Sequence, residues 1–231
     1  MHSEQQRPDA VGDVAGGPSD PPALDHLVYA APDGEAAVTD FAERTGVQPV
    51  PGGAHPGWGT RNWLVGLGPG TYLEIVGPDP DQEPPHGQRP FLVDTVPTPG
   101  VVHWCVRTPD IVSTVATARA AGYDPGPVRE MSRRRPDGSL LQWSLTDPRS
   151  AQPGGLVPFL IDWGDTRHPS EDLEPQATVE HLHLSAPDPA PAQRALRALG
   201  ISEQVDTGAL GMTVTLRTPG GPVVLEPAER P

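Results

Sequence analysis

Three histidines occupy the same place in three similar strand-like runs: His26 in LDHLVYAAPD, His103 in VVHWCVRTPD and His181 in VEHLHLSAPD. They recur at intervals of 77 and 78 residues, and each run closes on Pro-Asp. Late in each unit a carboxylate stands among apolar neighbours: Glu74 in YLEIVG, Asp162 in PFLIDW and Glu226 in VVLEPAE. A charge inside an apolar strand is costly unless it is paired or binds a cation. Imidazole and carboxylate together support two chemistries. They can ligate a divalent ion such as Fe, Mn, Zn or Ni, with positions left open for substrate. They can also move protons, with Glu74, His103 or Glu226 as the candidate catalytic groups. Each residue has a plain structural reading as well: a strand histidine is often a satisfied polar group, a strand glutamate often pairs with an arginine, and three equivalent histidines can be inherited by duplication.

The elements that must position these groups follow from periodicity. Alternation along a strand puts His26 with Val28 and Ala30 on one face, and Leu27 with Tyr29 on the other. In the same way His103, Cys105 and Arg107 oppose Trp104 and Val106, and His181, His183 and Ser185 oppose Leu182 and Leu184. The larger apolar set should pack under a helix, leaving the histidines on a concave face. A helical pattern follows each strand: Val38, Phe41 and Ala42 before Gly46; Val112, Val115 and Ala116 before Gly122; Ala195, Leu196 and Leu199 before Gly200. Asp33, Asp110 and Asp188 suit the N-cap regions. Strand-like runs then return, RNWLVGL and TYLEIVG, then PVREMSR, SLLQWSLT and LVPFLIDW, then MTVTLRT and PVVLEP, separated by Gly-Pro-Gly, Pro-Asp-Gly and Pro-Gly-Gly turns. Each unit reads as β-α-β-β-β, with one of the later strands not visible in units one and three. The expected organisation is a flexible tail over 1–22 and modules over 23–80, 100–165 and 178–229, with Pro-rich linkers over about 79–99 and 165–177. The fold class is α+β. A third module lacks an in-chain partner, so it either packs beside the first two or meets its copy across a two-fold axis in a homodimer.

Other residues could contact a ligand. The glycines of GGAHPGWGTRN permit close backbone approach, which would bring His55, Trp58 and Asn62 to a pocket; a tight glycine-rich connection is the alternative. Arg107 could hold a carboxylate or phosphate, or bridge to Glu74 or Asp162. Cys105 would lie nearby, as would His183 in its own unit, and a small buried thiol is the simpler account of Cys105. The run Arg133-Arg134-Arg135 before a Pro-Asp-Gly turn reads as a solvated edge. Trp58, Trp63, Trp104 and Trp143 could wall a cup, although alternation turns Trp104 toward the helix.

These residues resemble the vicinal-oxygen-chelate superfamily, which includes glyoxalase I, extradiol dioxygenases, methylmalonyl-CoA epimerase and fosfomycin-resistance proteins. The finer resemblance is to its glyoxalase-like domain branch, carried by LDHLVYA, GGAHPGWGTRN, YLEIVGPDP, SRRRPDGSLLQW and PFLIDW over residues 24–164. The resemblance implies paired βαβββ modules forming an open cup, with metal ligands on the first and fourth strands of both. Carried over by position, these are His26, Glu74, His103 and Asp162, the last standing where metal-bearing relatives usually have Glu.

Composition narrows the functions. The 231 residues carry 30 acidic against 16 basic side chains, a net charge of -14, which argues against nucleic-acid or anionic-membrane partners. The single cysteine excludes an intrachain disulfide and a Cys-rich zinc site. The N-terminus has no basic start followed by an apolar stretch, and no segment approaches the roughly 20 apolar residues of a membrane span, so a cytoplasmic protein is expected. Three functions fit: a metal-dependent isomerase, lyase or dioxygenase acting on a small oxygenated substrate, a metal-free protein that sequesters a small molecule, and a metal-free acid–base catalyst in natural-product metabolism.

Overall fold

A computed structural model describes residues 22–134, 138–150 and 153–229. Nearly all of the expected N-terminal tail, together with Arg135 and the Pro136-Asp137 pair of the expected turn, lies outside the described residues. The first module runs β1 (Ala23–Ala30), α1 (Gly34–Thr45), β2 (Val50–His55), β3 (Thr60–Gly66) and β4 (Tyr72–Pro78). The second runs β5 (Gly100–Arg107), α2 (Ile111–Ala120), β6 (Val128–Arg134), β7 (Leu140–Thr146) and β8 (Phe159–Asp162). The third runs β9 (Thr178–Ala186), α3 (Ala190–Ala198), β10 (Val205–Thr207), β11 (Gly211–Thr218) and β12 (Gly221–Leu225). The chain is therefore α+β and strand-rich, built on βαβββ modules.

Two helices start as their sequences require. The Asp33 carboxylate accepts from Ala36 N–H and Asp110 from Ser113 N–H, each satisfying a backbone donor that the first turn leaves open. At α3 the cap position is taken by Pro189, and the Asp188 carboxylate, one residue earlier, accepts from the Ala190 N–H at 3.1 Å. Gly46 closes α1 at φ 70°, the left-handed conformation that lets its N–H reach the Ala42 carbonyl.

The first two modules share one eight-stranded sheet in the order β2-β3-β4-β1-β5-β8-β7-β6, with β1 and β5 antiparallel at its centre. Leu27, Tyr29 and Trp104 turn to the helices and join Phe41, Ile111 and Val115 in the main core. Val28, Ala30 and Cys105 turn to the other side, into a second apolar cluster with Val76, Leu145, Phe159 and Ile161. The third module makes its own sheet in the order β10-β9-β11-β12. Its first strand is interior, paired with β10 and β11, so its first and last strands are not neighbours. The third module therefore cannot make the pairing of first-strand His with last-strand carboxylate expected in every unit.

The two strands not visible in the sequence are both edge strands. β2 is VPGGAH, which reads as the glycine-rich loop preceding HPGWGT; β10 has three residues. An edge strand pairs on one side only, so it tolerates Pro and Gly that a central strand would not.

Candidate functional site

Register fixes which residues are equivalent. Across the central pair, His26 faces Cys105 and Val28 faces His103. A two-fold axis between these pairs therefore exchanges His26 with His103 and Val28 with Cys105. On the parallel side, Val28 pairs with Glu74 and Cys105 pairs with Phe159. The second-module counterpart of Glu74 is Phe159. Asp162 lies three residues further along β8, beside Ser144 of β7. The same matching of registers equates Asn62 with Leu145 and His55 with Met131. Both central strands carry a bulge, at Asp25 in β1 and at Val102 in β5. A bulge places two residues opposite one and breaks alternation. Asp25 and His26 can therefore bond to each other on the cup side of the sheet.

Asp25 is fully buried and accepts three hydrogen bonds. His26 Nδ1 donates to Oδ1 at 2.7 Å, and His168 Nε2 and Trp163 Nε1 each donate to Oδ2 at 3.0 Å. Burial pushes this carboxyl up, but the bonds from His168 and His26 and their charges outweigh it and hold it well below the usual carboxylate range. Ser170 N–H donates to His168 Nδ1 at 3.1 Å, so the His168 proton resides on Nε2 and points at Asp25. The bond to Asp25 likewise places a proton on His26 Nδ1 and orients the ring, with Nε2 3.7 Å from Glu74 Oε2. Glu74 Oε1 accepts from Asn62 Nδ2 at 2.6 Å and lies 3.6 Å from His55 Nε2. Burial lowers the His55 pKa, against the opposing pull of the Glu74 charge, which favours the neutral ring. His55 Nδ1 shares a hydrogen bond with Thr60 Oγ1 at 2.9 Å. Asn62 fits against β2 because position 52 is glycine: a Cβ there would lie 2.2 Å from Asn62 Oδ1.

These groups form one wall of a partly open pocket. The facing wall comes from module two and the connecting segments: Met131, Trp143, Leu145, Phe159 and Ile161, with Trp163 and Phe91. Phe91 and Leu92 both adopt left-handed backbone (φ 62° and 59°), a strain that seats the Phe91 ring 5.8 Å from Phe159 and 6.4 Å from Trp58. Tyr72 stacks on His26 at 4.7 Å, and burial raises its phenol pKa well above the ordinary value.

Of the residues singled out by sequence, His26, Glu74, His55, Trp58, Asn62 and Trp143 line this cavity, and so does Arg133, which the sequence places on a solvated edge but which turns in to the Gly52 carbonyl. His103 is buried on the same side of the sheet behind two rings, 5.2 Å from Phe159 and 6.4 Å from Phe91. The others require correction. Asp162 accepts from the backbone N–H of Ile111 and Gly164, so it caps the start of α2 instead of facing the cup. Arg107 donates to the carbonyls of Leu24 and Gly70, tying strand ends together and bridging to neither Glu74 nor Asp162. Cys105 is fully buried under the wall, and burial pushes its thiol pKa up, with Asp25 and Glu74 adding to the effect. That suits an inert thiol better than a ligand contact. His183 pairs with Asp206 at 3.1 Å on the exposed face of the third sheet, and Glu226 is exposed just after β12. Trp63 packs against Gly34 and under Arg61, and Trp104 donates to the Leu156 carbonyl in the helix-side core. Sequence reasoning missed Asp25, Tyr72, Phe91, Trp163 and His168. Asp25 is adjacent to His26 in sequence, but alternation assigns it to the opposite face, and only the bulge brings it to the cup side. Tyr72 and Trp163 flank strand runs read for their carboxylates, and Phe91 and His168 fall in segments read as linkers.

The four metal ligands implied by the resemblance do not assemble. One carboxylate is displaced to a helix cap, its place is taken by Phe159, and that ring packs against both His26 and His103. Among the described residues, the ligand atoms gathered within 4.8 Å of one another are those of Asp25, His26 and Cys105. This trio exists as a possible site, but the Asp25 oxygens already accept three hydrogen bonds and the thiol is held protonated.

Paired βαβββ modules around a strand-lined cup define a vicinal-oxygen-chelate protein. The chain belongs to the glyoxalase-like domain family, whose model matches residues 24–200. No curated protein matches it significantly. Among solved structures, a hypothetical protein from Staphylococcus aureus is similar at 14% identity and TM-score 0.55, covering 90% of this chain and 86% of that one. Methylmalonyl-CoA epimerase from Mycobacterium tuberculosis matches at 22% identity and TM-score 0.39, covering 60% and 86%. A variant of the Streptomyces coelicolor epimerase, in complex with 2-nitronate-propionyl-CoA, matches at 20% and 0.41, covering 64% and 98%. At these identities the likeness concerns the fold. Among the described residues, no helix is long and apolar enough to cross a membrane.

Proposed function

We propose that this chain is an enzyme of proton transfer, of the isomerase or lyase type, acting on a small oxygenated molecule in the cup. The observation that carries the reading is the His26–Glu74 pair on the polar wall: His26 Nε2, oriented through Nδ1 by a buried carboxylate, 3.7 Å from the Glu74 carboxylate. Glu74 takes the proton from the carbon beside a carbonyl. The electron pair moves onto the carbonyl oxygen as an enolate, and collapse of the enolate with a solvent-derived proton, or with a proton delivered to the other face, completes exchange or isomerisation. His26 can hold the proton between these steps, because Asp25 stabilises the imidazolium that forms. His168 and Trp163 hold Asp25 in turn and act as positioning residues.

The reading is tested by solvent-deuterium uptake, followed by proton NMR across a panel of aromatic and aliphatic ketones and thioesters. Uptake with the wild type and its loss in Glu74→Gln and His26→Ala is the expected result. Uptake that survives both substitutions overturns the assignment. The aromatic wall favours a second reading, a protein that sequesters a small molecule. Saturable binding without uptake from any bound ketone would select it.

A further inference from the structure

We infer that the cup selects a neutral, flat, largely apolar molecule with a single carbonyl or hydroxyl end, and rejects carboxylates, phosphates and CoA esters. The inference rests on the proton-transfer reading only for which end meets Glu74. Its first support is the asymmetry of the walls. Where module one presents His55, Asn62 and Glu74, module two presents Met131, Leu145 and Phe159 at the equivalent positions. One end of a ligand therefore meets polar atoms, and its body meets carbon.

The apolar wall is also mainly aromatic and its rings are inclined to one another. Trp143 and Trp163 lie 5.6 Å apart at 43°, and Phe91 and Phe159 lie 5.8 Å apart at 42°. Such a wall offers both ring faces and ring edges, which suit a planar partner in offset or edge-to-face contact.

Charge supplies the exclusion. Glu74 lines the cavity, and Asp25 lies directly behind His26. Among the described residues that line it, the one arginine or lysine is Arg133, which donates to the Gly52 carbonyl. An anionic ligand entering at the polar wall would face the Glu74 carboxylate, with the Arg133 cation already engaged by the Gly52 carbonyl, and a like charge so placed discriminates against it. The net charge of -14 opposes anion approach as well.

The test is isothermal titration calorimetry with three probes: 1-acetonaphthone, 1-naphthoate of nearly the same shape, and propionyl-CoA. The expected result is saturable binding of the ketone, with naphthoate weaker by about tenfold or more and propionyl-CoA weaker still. Glu74→Gln should narrow the gap between ketone and naphthoate. Trp143→Ala should weaken the ketone by about tenfold and Trp143→Phe by much less, which separates lost stacking from lost folding. Naphthoate or propionyl-CoA binding as tightly as the ketone, or no saturation by the ketone, overturns the inference. Because binding is read without turnover, ketone that binds but takes up no deuterium would defeat the proton-transfer reading and leave the ligand class standing.

Discussion

The two halves of the cup are copies of one βαβββ module, yet they hold opposite chemistry. Module one places Asp25, His26, His55, Asn62 and Glu74 on its wall, and module two places Val102, His103, Met131, Leu145 and Phe159 at the matching positions. Only the histidine is kept, and in module two it is covered by phenylalanine rings. A symmetric cup with a carboxylate on each side would make a four-donor ion site. In this asymmetric one, imidazoles and a carboxylate line one wall and mainly aromatic and aliphatic side chains the other, which is what the proposed division into proton transfer and binding rests on. The backbone is nearly indifferent to the difference, because both bulges and both parallel pairings are retained. Function here lies in which side chains occupy the module, not in the module itself.

That contrast can be broken most severely from the polar side. Glu74→Gln and His26→Ala should each reduce deuterium uptake by about 10² to 10⁴-fold, read as initial rates by NMR. Phe159→Glu should make the halves alike. It should destabilise the metal-free protein by about 3–5 kcal/mol, the cost of an uncompensated buried charge, in denaturant unfolding. Added Zn, Ni or Mn should recover much of that loss in the variant and little in the wild type. A Phe159→Glu protein as stable as the wild type without metal would mean that the facing wall is not apolar in effect.

A smaller change loosens the orientation of the polar wall. Asp25→Asn should cost about 2–3 kcal/mol of stability, since three donors lose a charged acceptor, and lower the uptake rate with ketone affinity little changed. His168→Gln should give the same split in weaker form, together with an altered pH–rate profile. A fall in affinity with an unchanged rate would assign these residues to binding instead. Acid stability offers the gentlest probe. Burial lowers the His55 pKa from 6.5; below that value the unfolded chain binds a proton the folded chain resists. Stability should therefore fall as pH drops through 6.5 toward the folded value, and His55→Gln should flatten the slope. By contrast, His183→Ala and Glu226→Gln, both on the third module, should leave uptake unchanged and stability within about 0.5 kcal/mol.

The first two modules are legible because period-2 and period-3.6 patterns and a 77-residue repeat all agree. His26, Glu74, His55, Trp58 and Asn62 are legible because a histidine or carboxylate in an apolar strand, or a glycine-rich loop beside one, calls for an explanation. Asp162 misleads because it satisfies the same rule in sequence, an acid after PFLI. Only the pairing of Cys105 with Phe159 shows that the strand is entered three residues earlier than the analogy with Glu74 suggests. Asp25 is hidden by the bulge, since strict alternation assigns it to the face opposite His26. His168 and Phe91 are hidden by composition, because Pro-rich segments read as linkers whatever side chains they carry inward. The third module repeats the element order, but its strand order depends on long-range pairing that no local pattern encodes.

The central claim is that the polar wall of module one works without the four-donor ion site of a symmetric cup. The direct measurement is the rate of deuterium uptake into 1-acetonaphthone before and after exhaustive treatment with a chelator, with metal content determined on the same samples. An uptake rate that is unchanged after chelation and absent in Glu74→Gln is the predicted result. A rate that disappears with the metal and returns in proportion to added Fe, Mn, Zn or Ni would contradict the account and restore His26, Glu74 and His103 as ligands.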